Sequence, residues 1–218
     1  MRRLSTVFRD PVSGLTHLAS ALAAVAGLVA LLLAAPADPR RQAAVAIYGI
    51  SLVLLFSASA SYHLIKASPR TELLLRRLDH SAIFILIAGS YTPISLIVLS
   101  GVLGTIVLAT IWTLAAVGIL LKVVFIEKVS RRVSAGLYIL MGWLALAVVV
   151  PLVRELPLGG LLWLLAGGLL YTGGAVIYAR KMLDLIPGVF GSHEVWHIFV
   201  SAAAAAHYVL IFCYIAGL

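Results

Sequence analysis

Residues 102–126 read VLGTIVLATIWTLAAVGILLKVVFI, with no charged side chain before Lys122. About 20 consecutive apolar residues are what one helix needs to cross a bilayer. In hydrocarbon every backbone N–H and C=O must find its partner inside the segment, which a helix provides. Six more runs of this kind lie at 12–34, 42–65, 79–100, 133–152, 159–179 and 193–216, each bounded by charges, Pro or Gly. The expected architecture is an all-α integral membrane protein: a seven-transmembrane helix bundle, one domain over residues 1–218.

Composition agrees. Apolar residues make up 63% of the 218, charged residues 11%, and the mean hydropathy is +1.13. Soluble domains average roughly 45–50% apolar and about 25% charged. A soluble enzyme is excluded, and so is a disordered chain. Seven spans need about 140 residues, which leaves short connections and no separate soluble domain. Cys213 is the one cysteine, so no intramolecular disulfide can form. Arg2 and Arg3 before the first run and Ala35-Pro36-Ala37 after it resemble a signal peptide. The apolar stretch is too long for a signal-peptide core, and a retained helix is expected. The uncharged break at 100–104 predicts a tight hairpin between helices three and four. Glycine pairs at 159–160, 167–168 and 173–174 give helix six small faces for close packing.

The net charge of +8 would suggest nucleic acid in a soluble protein. Here the positions of the charges explain it, and no nucleic-acid partner is expected. Arg2, Arg3, Arg9, Lys66, Arg70, Arg76, Arg77, Lys122, Lys128, Arg131, Arg132, Arg180 and Lys181 fall on one side of the seven spans. Arg40, Arg41 and Arg154 fall on the other. Positive residues stay in the cytoplasm, which places the N-terminus inside and the C-terminus outside. That is opposite to G-protein-coupled receptors. No lysine follows Lys181, so the last helix has no Schiff-base lysine for retinal.

Ionisable groups in membrane helices are costly and call for a reason. On this topology helix two ends at the cytoplasmic face with Ser59 and His63. Helix three starts there with Asp79 and His80, and helix seven with His193 and His197, which at i, i+4 share one stripe. His63, Asp79, His193 and His197 thus meet at one membrane depth. Three imidazoles and an open position are the pattern of catalytic zinc, whereas structural sites are closed by four ligands. Cys213 sits at the far end of helix seven. Asp79 could bind the Zn2+ directly, or could take and return the proton of its water. Ser59 could donate a hydrogen bond to a tetrahedral oxyanion.

The alternative for the histidine pair is interhelical hydrogen bonding. Asp79 could instead anchor or cap the start of helix three. His17 reads as a helix-contact residue, and His80 as packing or interfacial because it points about 100° from Asp79. His207 reads as cavity-lining. Residues 193–197 also spell H-E-x-x-H, the metalloprotease pattern with Glu194 as base. No acidic residue follows His197, which leaves His207 as the sole candidate for the third ligand such proteases carry downstream, and the later Asp of an intramembrane protease is missing. Glu194 reads better as a favourable charge at the positive end of helix seven.

Ser59-x-x-x-His63, the run Leu78-Asp79-His80-Ser81-Ala82-Ile83-Phe84, then Ala88-Gly89-Ser90-Tyr91-Thr92-Pro93 and His193-x-x-x-His197 together resemble the hemolysin III proteins. These are the bacterial branch of the progestin and adiponectin receptor (PAQR) family, and the resemblance covers nearly the whole chain, Thr16-His17 included. It implies seven helices, a cytoplasmic N-terminus and a multi-pass protein of the cell membrane, in a bacterium the inner membrane. It also implies Zn2+ held by His63, His193 and His197, with Asp79 on the metal's water and Ser59 as the motif serine. The wider superfamily includes alkaline ceramidases. The implied activity is therefore zinc-dependent hydrolysis of a lipid amide or ester, or membrane homeostasis through a membrane lipid or fatty-acid-like ligand. The sequence has no long N-terminal cytoplasmic domain or C-terminal tail, which speaks against a hormone receptor. The other readings are a cytolytic, hemolysin-like pore and a zinc-stabilised sensor without turnover. A pore is disfavoured because no helix carries a repeated polar stripe.

Overall fold

The computed structural model describes residues 7–99, 101–186 and 189–218. Arg2, Arg3 and Ser100, used above for charge and for the hairpin break, lie outside the described residues. Seven helices are long and apolar enough to span a membrane: α1 (Pro11–Ala34), α2 (Pro39–Leu64), α3 (Pro69–Leu99), α4 (Gly101–Phe125), α5 (Arg131–Glu155), α6 (Leu158–Arg180) and α7 (Ser192–Tyr214). Each expected run overlaps one of them. The first run packs as α1 between α2 and α7.

The first three helices share a start. Asp10-Pro11, Asp38-Pro39 and Ser68-Pro69 each put proline in the first turn, where its missing N–H costs nothing. Asp38 accepts from the Arg41 amide at 2.9 Å, and Ser68 from the Thr71 amide at 3.4 Å. This corrects the expected start of helix three at residue 79. Arg70, Glu72, Arg76 and Arg77 ride on its first turns, so the apolar run begins well after the helix does. Asp79 is interior to α3 and cannot be its cap. Lys122 lies within α4, as the run 102–126 expects, and is 1% exposed, a burial that the charge count did not foresee.

Two prolines bend the walls. Pro93 offers no N–H to the Gly89 carbonyl, and the helix widens to π geometry over Ile94–Leu99. Pro151 does the same to Ala147, and α5 tightens to 3-10 geometry over Trp143–Val148. The Tyr91 hydroxyl enters that tightened turn. It donates to the Gly142 carbonyl at 2.7 Å and accepts from the Ala145 amide at 2.7 Å. The α3–α4 hairpin turns on Gly101, whose φ of +57° favours glycine.

Apolar side chains face outward all round: Leu33 is 82% exposed, Val102 77% and Leu140 71%. Ser13, His17, Ser59, His63, Asp79, Lys122, Ser134 and His197 are buried instead. This inside-out distribution suits a solvent as apolar as the helix surfaces. The helices close into a ring in which α1 touches both α2 and α7, and α3 touches α2, α4 and α5. The α6 pairs sit under α7 side chains: Gly159 and Gly160 under Tyr214, Gly167 under His207, Gly173 and Gly174 under Phe199. The innermost helices are α3, α2 and α7, with 61%, 56% and 44% of their apolar windows buried against 17–28% for the rest. The polar cluster sits on these three.

Candidate metal centre

At the end of the bundle where α2 stops and α7 starts, three imidazoles converge. His193 Nε2 lies 3.3 Å from His63 Nε2 and 3.2 Å from His197 Nε2. All three ligand atoms fall within 4.8 Å of one another, with His63 and His197 buried and His193 half-buried. A tetrahedral metal with metal–nitrogen bonds of 2.0–2.1 Å needs nitrogens about 3.3–3.4 Å apart. Two of the three edges are at that length, so the cluster could hold a metal ion.

The ring of His63 is set from behind. Its Nδ1 lies 3.1 Å from Asp10 Oδ2, and the Asp10 amide donates to the His63 carbonyl at 2.8 Å. A carboxylate only accepts, so Nδ1 carries the proton and the Nε2 lone pair faces the other two histidines. Arg9 completes the clamp: its guanidinium reaches Asp10 at 3.1 Å and Glu72 at 3.0 Å, and lies 3.8 Å over the Tyr62 ring. The hydrogen bond from His63, then Arg9, holds the Asp10 carboxyl below the usual carboxylate range despite partial burial. The sequence reading did not single out Asp10. A lone acid before a proline, outside every apolar run, carries no periodicity to betray it; only its distance from His63 does.

His17, expected to make a helix contact, makes one that matters. Its Nε2 lies 3.3 Å from the His197 carbonyl oxygen and its ring 3.9 Å from the His197 ring. It props the second α7 histidine from α1. Asp79 is buried but stands outside the group of convergent ligand atoms. Its Oδ2 lies 3.3 Å from His80 Nδ1, and Ser59 bears on its carboxylate from α2. His80 Nδ1 also reaches the Arg76 carbonyl at 3.0 Å. As folded, then, Ser59 supports Asp79.

Glu194 is turned to other work. Its Oε2 accepts from the Gly191 amide at 2.9 Å, capping α7, and its Oε1 accepts from Ser13 Oγ at 3.1 Å. With both oxygens engaged and the start of α7 tied to α1, Glu194 is not placed as a base.

The histidines open onto a cavity of about 420 Å3 inside the ring of helices. His17, Ser59, His63, Asp79, His193 and His197 line one end, and Leu210 and Ile211 the other. His193 to Ile211 is about 27 Å along a helix at 1.5 Å per residue. Ile83, Leu86, Ile87, Ile139 and Val200 line the walls between. His207 lines the cavity as expected, with Nε2 3.3 Å from the Leu164 carbonyl, far from the other three histidines.

Fold and site together define a class: a multi-pass protein of the cell membrane with a histidine cluster buried at one end of a seven-helix bundle. The Haemolysin-III related family model matches residues 5–208, and the chain belongs to that family. It is 37% identical over 218 residues to "Hemolysin-3" of Bacillus cereus, covering 99% of this chain and 96% of that one. It is 34% identical over 173 residues to "Monocyte to macrophage differentiation factor" of Homo sapiens, covering 78% and 69%. To "Adiponectin receptor protein" of Drosophila melanogaster it is 27% identical over 190 residues, covering 73% and 39%. These relatives fit the PAQR relationship.

Proposed function

We propose that the chain is a zinc-dependent hydrolase of a membrane lipid, cleaving an amide or ester beside His63, His193 and His197. The observation that carries this reading is the continuity of the histidine cluster with a long cavity whose walls are mostly apolar. Its volume is that of a small-molecule site. Three imidazoles without a fourth protein ligand are the donor set of catalytic zinc, which lowers the pKa of its water to about 7 when bound.

The chain's own residues divide the rest of the work. Asp79, beside the cluster and on the same cavity, takes a proton and returns it to the leaving group. Ser59 and His80 hold its carboxylate in place. Asp10 fixes the tautomer of His63, and His17 props His197. The walls take the acyl chain and keep bulk water away. A zinc-stabilised sensor would share every feature except the need for Asp79 to exchange a proton.

The test is release of fatty acid from a panel of lipid amides and esters by purified protein, with and without chelator. Expected is release that the chelator stops. Asp79→Asn should keep its zinc, since three imidazoles remain, and lose turnover by roughly 10²–10⁴. Glu194→Gln should keep both. Absence of chelator-sensitive release across the panel would overturn the hydrolase, and a dead but metallated Glu194→Gln would revive the protease.

A further inference from the structure

We infer that Lys122 marks a second binding site in the cavity, one that takes the anionic oxygen group of an acyl-chain lipid. Lys122 is in the last turn of α4, and a lysine there would be expected to extend its chain to the membrane surface. It does not: it is 1% exposed, turned inward, and lines the cavity. Nζ donates to Ser134 Oγ of α5 and lies 5.9 Å from the centre of the Tyr138 ring. An ammonium has three protons to give, and Ser134 answers one of them. The carbonyl end of α4 offers a partial negative charge nearby, which is not a counter-ion.

The surrounding charges deepen the imbalance. Among the described residues no carboxylate forms an ion pair with Lys122. Arg76 of α3 bears on it with the same sign. Lys122, Arg76 and Arg131 all line the one cavity. The two acids that also line it are engaged elsewhere, Asp10 by His63 and Arg9, Asp79 by His80 and Ser59. A buried charge without a partner is among the most costly features a fold can carry. In a membrane protein it points to what the cavity receives. A carboxylate or phosphate would supply the missing charge and accept the free protons. The apolar walls beyond, Ile83, Ile87 and Ile139 among them, ask for an acyl chain behind that group. The inference names the ligand class for the cavity of the proposed hydrolase and to that extent rests on that reading.

The experiment measures equilibrium binding to the full chain in phosphatidylcholine nanodiscs, with empty nanodiscs subtracted. The probes are dodecyl phosphate, dodecanoate, dodecanol and inorganic phosphate. Both anionic amphiphiles should bind more tightly than dodecanol. Lys122→Met should weaken both by about 10- to 100-fold, the worth of one or two charge-assisted hydrogen bonds, and leave dodecanol unchanged. Lys122→Arg should keep most of the affinity. Inorganic phosphate at equal concentration should fail to compete. Full competition by it would mean that a free anion occupies the site, and would overturn the lipid assignment. Equal binding of dodecanol and the anions, or unchanged anion binding by Lys122→Met, would overturn the site itself. Should the Met variant not fold, Lys122→Gln is read in its place. Zinc content should be unaffected, because Lys122 is no ligand. A protein without turnover that still binds these anions through Lys122 would sink the hydrolase and leave this site standing.

Discussion

At the scale of single residues, the clearest division is between histidines that meet and the groups that aim them. Asp10 is not one of the three convergent ligands, yet it decides which nitrogen of His63 is free. Asp10→Ala should lower zinc affinity by roughly 10- to 100-fold, the usual effect of losing the partner behind a ligating histidine. Competition against a metal indicator reads this, and unchanged affinity would remove Asp10 from the site. His63, His193 and His197 were legible because costly groups at one membrane depth need a common reason. Asp10 was not, since a loop acid is ordinary until its neighbour is known. The burial of Lys122 was not legible for a related reason: on a list of charges a buried lysine looks the same as an exposed one. Its burial is decided by Ser134 and Tyr138, on another helix.

At the scale of the helix, hydropathy located every span and misjudged one end. The first turns of α3 are as polar as a loop, and only the Ser68-Pro69 start marks them as helical. The bends at Pro93 and Pro151 follow from residue type, but the partner that settles into the second, Tyr91, lies far away in the chain. The glycine pairs of α6 spoke for close packing and the structure names what they face. Gly167→Ala would drive a methyl group into the His207 ring. It should destabilise the α6–α7 contact by about 1–3 kcal/mol. Gly136→Ala in α5, where a methyl group would meet nothing within 4 Å, should be neutral or gain up to about 1 kcal/mol. Thermal unfolding in one detergent compares the two; equal midpoints would refute the packing role.

At the scale of the whole molecule, orientation is an expectation drawn from the family resemblance and from the charge bias. Setting buried Lys122 aside leaves twelve positive residues on one side against Arg40, Arg41 and Arg154 on the other. A periplasm-dependent reporter fused after Leu218 should therefore be active, and a cytoplasm-dependent one silent. The reverse result would put the histidine cluster on the outer face. The cluster itself has a consequence in time. His63 and His193 are 130 residues apart, and α7 leaves the ribosome after the other six spans. Until it does, His63 has no imidazole to meet and the ring of helices has no closing wall. Assembly of the three-histidine cluster thus waits until α7 has been made, and a chain cut short before α7 would enter the membrane with His63 alone of the three.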